Sequence, residues 1–537
     1  MAAPSARSPQ SPPTASGGLA IAAAIVAFGF LGSRVLGVLR TTFIARAFGA
    51  GPDIDAYNVA FRVPDLIFQL VAGATLASAF IPVFARVTRR EGDERAWALA
   101  SNVLNLVLVA TAALCVIAFV VAPVVVPWTA PGLEGEAEQK AIELTRIMLL
   151  SPLLFAASGI LTGVLNGRQR FMLTALAPML YNLAIIFGAV VLSRPWGIEG
   201  LAAGVILGAG LHLLVQVPGV IRERMRYRPT FDWHNSAVRE VARLMGPRVI
   251  GLAAAQFNFI IGSIFATQVG EGAFTRLTFA WTLGLLPVAL FAMALSTAVF
   301  PRLANAVADN DLEGMQATLS RSLRAIMFLT VPAALGLLFL RDPATRMLLQ
   351  WGEFTGADAS STAAALGFFC LGIVPLAGIE IHSRGFYAMG DTRTPVALAV
   401  MAVGLNLTLS ALLWGEFGIN GLAFSLSAAA WGEWLLLYWL FARRSGAPVA
   451  GDLGAMARYS FAAAIMALFL AIGFAWYDEG DRAEAFVVGI AGSIAGFAVY
   501  VGMARLMRIP ELDEVVERAR ERFGRRAATA DETARDG

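Results

Sequence analysis

Six charged residues lie within the first two long hydrophobic stretches of the chain: Arg34, Arg40, Arg46, Asp55, Arg62 and Asp65. A charge inside a bilayer costs about 2.5–3.5 kcal/mol on insertion scales, so it normally faces protein or water and serves a function. Planar guanidinium groups bind phosphate oxygens through two parallel hydrogen bonds. An excess of arginine over aspartate therefore predicts a site for a phosphate or a pyrophosphate, and argues against a sodium or drug-cation site.

Depth along the helices separates these charges. Counting 1.5 Å per residue from the turn at Gly49–Gly51 places Arg46 and Asp55 about 5–6 Å below the turn. The same count places Arg34 and Asp65 about 21–22 Å below it. Each of these two combinations is matched in depth, and we expect Asp55 or Asp65 to lie within salt-bridge reach of an arginine in these two stretches. Arg46 is shallow enough for its side chain to reach the membrane interface.

Arg40 and Arg62 lie about 14–16 Å below the same turn and have no carboxylate at their own level. Arg34 and Arg40 are too deep to reach the interface easily, so we expect their side chains to face a cleft. The sequence thus predicts a substrate-binding site formed by five residues: Arg34, Arg40, Asp55, Arg62 and Asp65.

Membrane-spanning helices must hold these residues. Of 537 residues, 58% are hydrophobic and only 15% are charged, against about 25% charged in soluble domains. These values exclude a soluble enzyme, a nucleic-acid-binding protein and a disordered scaffold. Fourteen hydrophobic stretches have the length of a spanning helix: 19–48, 54–85, 96–127, 141–165, 171–193, 197–221, 249–269, 277–301, 315–340, 361–388, 394–414, 418–442, 456–476 and 485–505. The sequence predicts an all-α polytopic membrane protein with about fourteen transmembrane helices.

Two short motifs recur at nearly the same distance. Residues 79–85 read AFIPVFA and residues 298–304 read AVFPRLA, which are 219 positions apart. Residues 197–202 read GIEGLA and residues 418–423 read GINGLA, which are 221 positions apart. A duplicated unit of six helices explains both offsets, and an even helix number relates the two copies by an axis along the membrane normal. We predict two pseudo-symmetric six-helix lobes plus two C-terminal helices, with substrate bound between the lobes.

The organisation and orientation of the chain follow from composition and charge. The predicted segments are a disordered head at 1–18, an N-lobe at 19–221, a cytoplasmic linker at 222–248, a C-lobe at 249–442, two further helices at 443–505 and a charged tail at 506–537. Connections after even-numbered spans hold about 21 basic residues and those after odd-numbered spans about 7, which predicts cytoplasmic even-side loops. Both termini are then cytoplasmic.

Other reactive residues are scattered. The two cysteines and three histidines form no ligand cluster, so we expect no disulfide, metal or cofactor. Glu380 and Glu433 lie inside predicted spans, where either could couple transport to a proton or cation, although a hydrogen-bonded structural acid is the favoured interpretation of Glu433. Arg384, near a cytoplasmic end, is interpreted as an orientation charge.

Several segments resemble one family of transporters, the MurJ/MviN lipid II flippases. The resembling segments are 33–40 (SRVLGVLR), 48–50, 55–56, 61–64, 79–82, 166–182 and 352–355. The resemblance covers essentially the whole chain. It implies the fold of the multidrug/oligosaccharidyl-lipid/polysaccharide exporters and export of the undecaprenyl-linked peptidoglycan precursor, lipid II, across the inner membrane. It also implies that Arg34, Arg40 and Asp55 line the family's cavity.

The chain departs from the family pattern at four positions. Phe68 and Gly73 stand where some members have an arginine and a glutamate, and Thr282 stands where some have an arginine. Thr41 stands where members of the family often have an acid directly after the arginine equivalent to Arg40. These departures leave open an exporter of another polyprenyl-linked oligosaccharide, or a drug antiporter of the same fold. A membrane glycosyltransferase would need an acidic metal motif on a large loop, which the short connections do not offer. We expect a transporter and not an enzyme.

Overall fold

The computed structural model describes residues 15–71, 74–445, 449–474, 477, 480–514 and 517. Within them the regular structure is helical throughout. The helices are α1 (Ala15–Phe48), α2 (Pro52–Ala60), α3 (Arg62–Val71), α4 (Ala74–Glu91), α5 (Asp93–Thr129), α6 (Glu136–Met148), α7 (Leu150–Gly167), α8 (Phe171–Phe187), α9 (Ser193–Leu214), α10 (Val217–Arg222), α11 (Ser236–Val269), α12 (Ala273–Pro287), α13 (Ala294–Ala308), α14 (Leu312–Phe339), α15 (Arg341–Leu349), α16 (Gly356–Ala388), α17 (Arg393–Ser445), α18 (Val449–Gly473) and α19 (Arg482–Leu506). Single π-helical segments at Gly188–Leu192 and Val288–Met293 join α8 to α9 and α12 to α13.

The all-helical polytopic class predicted from composition is confirmed. Among the described residues, ten helical stretches are long and apolar enough to cross a membrane. The number fourteen stays a prediction, because α8–α10 and α17 each run through two predicted spans without a break. The predicted second span is divided into α2, α3 and α4. Most of the predicted head lies outside the described residues, although α1 already begins at Ala15.

Two glycines kink long helices in the same way. Gly197 in α9 has φ 56° and ψ −134°, and Gly418 in α17 has φ 54° and ψ −137°. This conformation is essentially restricted to glycine. Three residues later, a Cβ on Gly200 would meet the main chain of Leu192, as one on Gly421 would meet Leu413. Equivalent residues 221 positions apart thus adopt the same geometry, in agreement with the predicted repeat.

The chain divides into two compact units. The first comprises Met1–Arg40, Val63–Val120 and Arg146–Val249; the second comprises Thr41–Arg62, Val121–Thr145 and Ile250–Gly537. The sequence predicted lobes at 19–221 and 249–442 instead, and that division stays a prediction. The second unit therefore includes the ends of helices that precede residue 146, together with the C-terminal half of the chain.

Aromatic side chains form the core of the first unit. Phe80 and Phe84 on α4 stack with ring centroids 5.3 Å apart, and Trp97 on α5 lies 5.7 Å from Phe84. Gly163 on α7 leaves room for the Phe80 ring, since a Cβ there would lie 2.7 Å from it. Truncating these aromatic side chains would leave cavities in the core. Their close fit therefore holds α4, α5 and α7 together.

The predicted linker at 222–248 is partly helical and is fixed to α5. Its second half belongs to α11, which begins at Ser236. Upstream, Asn102 of α5 donates to the Asp232 carbonyl at 2.7 Å and accepts from the Asp232 amide at 2.8 Å. Tyr227 donates its hydroxyl proton to Asn105 at 2.9 Å. Because side chains of α5 satisfy this irregular backbone, the linker is part of the first unit.

Candidate functional site

Asp55 is buried at the start of α2, with 1% of its surface exposed. Its carboxylate accepts three hydrogen bonds from the beginning of α12: from the Gly272 amide at 2.7 Å, and from the Thr275 amide and hydroxyl at 2.8 and 2.6 Å. The first amides of a helix have no partner within the helix and carry partial positive charge. Asp55 therefore caps α12 from a distant part of the sequence.

A second bond completes this network. Asn58, one turn after Asp55, donates its amide to the Thr275 hydroxyl at 2.9 Å. The Thr275 hydroxyl thus donates to Asp55 and accepts from Asn58, which uses both of its capacities. Hydrogen bonds to a charged acceptor contribute about 1.5–3 kcal/mol each. The contact between α2 and α12 is therefore a specific polar latch.

Four glycines bring main chains into direct contact around this latch. A Cβ on Gly49 or Gly272 would meet the main chain at Glu353 or Ala50, and one on Gly132 or Gly352 would meet it at Thr267 or Arg46. The Glu353 amide also donates to the Arg46 carbonyl at 3.0 Å, and the Gly132 amide to the Thr267 hydroxyl at 3.3 Å. We call these four glycines and the main chain that they touch the glycine seam; all of it belongs to the second unit.

The seam follows the internal repeat. Arg46 and Thr267 are 221 positions apart, and their partners Gly352 and Gly132 are 220 positions apart. Asp55 and Thr275 are themselves separated by 220 positions. The contact of Arg46 with Gly352 thus corresponds through the repeat offset to that of Thr267 with Gly132, and all four residues belong to the second unit.

Arg46 and Asp55, although matched in depth, have separate partners. Arg46 lies over the Trp351 ring, 3.8 Å from its centroid, and Arg482 approaches the same ring at 4.4 Å. Asp55 is held by α12, and Arg34 has no ion-pair partner among the described residues. Depth along a helix does not give the direction of a side chain, so the expected salt bridge of Asp55 or Asp65 with one of these arginines stays a prediction.

Three of the five predicted site residues belong to the first unit: Arg34, Arg40 and Asp65. The Arg34 and Arg40 side chains are partly exposed along α1, and the Arg34 guanidinium lies 5.2 Å from the Phe30 ring centroid. Asn182 of α8 donates to both the carbonyl and the hydroxyl of Ser33 at 3.4 Å. The α1–α8 contact therefore orients this part of α1.

Arg62, at the start of α3, belongs to the second unit and lines a cavity of about 240 Å³. Its guanidinium lies 4.8 Å from the Phe259 ring centroid and 5.3 Å from that of Phe274. Both distances are within the range of cation–π attraction. Arg62 is thus stabilised by aromatic rings of α11 and α12, while part of its surface remains accessible.

The two predicted coupling acids lie on neighbouring helices. Glu380 on α16 pairs with Arg384 at 3.5 Å, and Arg384 also donates to the Ser296 hydroxyl of α13 at 3.0 Å. Arg384 is therefore bound between two helices, a contact that the sequence could not specify. Glu433 on α17 has no hydrogen-bond or ion-pair partner among the described residues.

Those residues that depart from the family pattern and that the structure describes have structural roles. Phe68 packs against Phe155 with ring centroids 4.7 Å apart, and Thr282 donates its hydroxyl to the Thr278 carbonyl at 2.9 Å. Thr41 is buried, and Gly73 lies outside the described residues. Among the described residues, no group of histidine, cysteine and acidic side chains has the arrangement of a metal site.

Sequence reasoning missed Thr275, Gly132 and the polar residues of the Arg62 cavity. Thr275 lies in the short connection between the predicted spans 249–269 and 277–301, and only its separation from Asp55, close to the repeat offset, relates the two residues. Asn258 lines the cavity and accepts a hydrogen bond from Asn406 at 3.0 Å.

Comparison with known proteins gives evidence of the protein family that is independent of the geometry described above. The family described as "Lipid II flippase MurJ" matches residues 44–494. A relative of that name from Burkholderia cenocepacia is 33% identical over 491 residues, covering 88% of this chain and 95% of the relative. A "Probable lipid II flippase MurJ" from Vibrio cholerae is 30% identical over 420 residues, covering 76% and 79%.

Solved structures show the same fold. The structure described as "Lipid II flippase MurJ, inward closed conformation" aligns with a TM-score of 0.78 at 24% identity, covering 90% of this chain and 98% of that one. An inward-facing multidrug transporter of the MATE family aligns with a TM-score of 0.64 at 17% identity, covering 77% and 94%. Both likenesses concern the fold.

Proposed function

Since this chain belongs to the lipid II flippase MurJ family, we propose that it moves lipid II from the inner to the outer leaflet of the cytoplasmic membrane by alternating access. One observation supports this above the others. Arg34 and Arg40 lie deep in a hydrophobic helix, are partly exposed, and have no described carboxylate partner. Such arginines are costly in a membrane unless an anion binds them, and a pyrophosphate is such an anion.

We assign Arg34 and Arg40, on α1 of the first unit, to pyrophosphate binding. Arg62 and Asp65, which the sequence predicts as further site residues, stay candidates for contact with the substrate head. Asp55 receives a different role, because its carboxylate already accepts three hydrogen bonds from α12. A carboxylate would also repel a pyrophosphate. Asp55 therefore acts by holding α2 against α12, and not by contacting the substrate.

The latch and the glycine seam serve as the outer gate. The distribution of arginines predicts that the turn at 49–51 faces the outside of the membrane and that both termini face the inside. Transport by alternating access requires the outer face to open when the substrate leaves, and therefore requires the latch to break in each cycle. A contact made of a few hydrogen bonds and of closely packed main-chain segments can open and close as a unit.

Glu380 and Glu433 remain candidates for coupling. Glu433 has no described partner that would fix its charge, so proton uptake there would change the net charge of the second unit. Glu380 is paired with Arg384, and its proton affinity is tied to that pair. A role for either acid would make transport sensitive to pH.

Complementation tests the proposal. Expressed in cells depleted of their own lipid II flippase, the wild-type chain should restore growth. Arg34→Ala and Arg40→Ala should each abolish growth at unchanged protein level, since removing a charge from a membrane-spanning helix does not hinder its insertion. Failure of the wild-type chain in a host with a matched membrane, together with export of another polyprenyl-linked oligosaccharide, would contradict the lipid II assignment.

A further inference from the structure

The Arg62 cavity has walls of an unusual composition for a membrane protein interior. Four of the residues that line it are aromatic and come from α11, α12 and α16: Phe259, Phe274, Trp281 and Phe369. Trp281 meets both Phe259 and Phe369 edge to face, with centroids 6.2 and 5.3 Å apart. These contacts hold the Trp281 ring in one orientation. The cavity therefore offers flat aromatic surfaces that are already in place before any ligand binds.

One side of the same cavity is polar. Asn406 on α17 donates to the Asn258 side-chain oxygen at 3.0 Å, and Ser410 donates to the Asn406 oxygen at 3.3 Å. Each amide carries two donors and an oxygen with two lone pairs. The three-residue chain leaves further donors and acceptors of these amides for a ligand. A few polar groups in an otherwise apolar pocket are the usual arrangement of a specific small-molecule site.

The charge of the residues that line the cavity determines which class of ligand it can bind. Arg62 is the charged residue among those that line it, and no carboxylate is among them. A cation would be repelled by the guanidinium and would find no anionic ligand. A neutral ligand with an apolar face and a polar edge fits better: its face stacks on the aromatic rings, and its hydroxyl or amide groups meet Asn258, Asn406 and Arg62. A sugar ring has this chemistry.

We propose that this cavity is a sugar subsite, which holds one ring of the carbohydrate head of the substrate. The proposal rests on the proposed function, since it presumes a lipid-linked saccharide. The volume of about 240 Å³ is below the roughly 300–1,000 Å³ of pockets for drug-sized ligands, so a single ring is accommodated and the rest of the head lies outside. The cavity thereby distinguishes lipid II from a lipid that ends in pyrophosphate.

Binding of two lipids to the purified full-length chain in nanodiscs tests this role. Lipid II and undecaprenyl pyrophosphate share the polyprenyl tail and the pyrophosphate, and differ in the head that the subsite would recognise. The wild-type chain should prefer lipid II. Asn406→Leu keeps the approximate volume but removes the amide, and should weaken lipid II binding about tenfold, the loss expected for one buried polar contact, with undecaprenyl pyrophosphate affinity unchanged.

Thr408→Val is the matched control. Thr408 lies two positions away on the same helix, is exposed, and donates to the Gly404 carbonyl at 2.9 Å; its variant should bind both lipids as the wild type does. If Asn406→Leu does not fold, Trp281→Leu and Trp281→Phe replace it: Leu should remove the preference and Phe should largely keep it. An unchanged preference in Asn406→Leu or Trp281→Leu, or an equal loss for both lipids, would overturn the subsite.

The same measurements separate the two proposals. A wild-type chain that prefers lipid II, with variants that keep the preference, overturns the subsite and leaves the flippase function intact. A wild-type chain that does not bind lipid II overturns both.

Discussion

Asp55 and Thr275 lie 220 residues apart, within the 219–221-residue offset of the two repeats, and bond directly to each other. The amide and the hydroxyl of Thr275 donate to the same carboxylate oxygen at 2.8 and 2.6 Å. The acceptor thus lies on α2 and the donors at the beginning of α12, so one carboxylate joins two segments that are far apart in the sequence.

Asp55→Asn should open this contact. The amide group of asparagine has donors where the Gly272 and Thr275 amides also donate, and at least one charge-assisted bond of about 1.5–3 kcal/mol is lost. With Cys115 and Cys370 replaced by alanine, a cysteine in place of the buried Ala56 should react several-fold faster with a membrane-impermeant maleimide. The rate of labelling of intact cells measures the effect.

Asp53→Asn provides the control for that experiment. Its side chain is 56% exposed and pairs with Lys140 at 2.8 Å, so its contribution is small. Labelling of the Ala56→Cys chain should be unaffected by it. Equal labelling rates for Asp55→Asn and the parent would show that the latch does not hold the gate.

Gly132→Ala should prevent the seam from closing. An added Cβ would overlap the main chain at Thr267, which cannot move without displacing α11. Gly51→Ala is the matched change, since a Cβ there meets nothing within 4 Å and its φ of −151° suits any residue. We expect loss of growth complementation for Gly132→Ala at normal protein level, with Gly51→Ala close to wild type. Normal growth of both would contradict the seam.

Gly418→Ala should destabilise the chain. Its φ of 54° and ψ of −137° are accessible to alanine only with strain of about 1–3 kcal/mol. Gly404→Ala, in the same helix and with open space around the new Cβ, should be neutral or slightly stabilising. Thermal unfolding of the purified variants in detergent should give a lower Tm for Gly418→Ala alone. Equal Tm values would mean that the kink is relaxed in solution.

Asp391, between α16 and α17, should make a pH-dependent contribution to the stability of the folded chain. Partial burial raises the pKa of its carboxyl, but hydrogen bonds from Thr394 at 2.6 and 3.0 Å and an ion pair with Arg444 outweigh this and lower the pKa to about 2. A folded-state pKa below the ordinary 3.8 means that the carboxylate stabilises the fold above about pH 4. The contribution is lost as the pH falls from 4 towards 2.

The Tm difference between wild type and Asp391→Asn should therefore be constant between pH 5 and 8 and should shrink below pH 4. Asp309→Asn, an exposed position after α13, should show little difference at any of these values. A difference for Asp391→Asn that does not change down to pH 2.5 would exclude the charge as its cause.

Arg40→Lys should fail to support growth, whereas Arg46→Lys should support it. Lysine keeps the charge of Arg40 but loses the planar fork that binds two phosphate oxygens. Arg46 contacts the Trp351 ring, where an ammonium group can also be attracted. Growth of flippase-depleted cells measures both. Should Arg40→Lys grow as the parent does, bidentate recognition by Arg40 would be ruled out.

Much of this protein follows from its sequence alone. Composition determines that the chain is an all-helical membrane protein, because a surplus of apolar residues has no other stable environment. The repeat offset of 219–221 positions is visible in two short motifs, and Gly197 and Gly418 share one kink because each begins the same motif. The unusual arginines of α1 are also evident without a structure, since charge in an apolar run is rare for a physical reason.

Only the tertiary structure decided which groups meet. Arg46 and Asp55 are matched in depth, yet the carboxylate bonds to Thr275 and the guanidinium lies on Trp351. The Arg62 cavity is formed by residues of α3, α11, α12, α16 and α17, which no local pattern relates to one another. Helix periodicity gives the depth and the face of a residue, but the rotation and crossing of helices depend on packing between segments hundreds of residues apart.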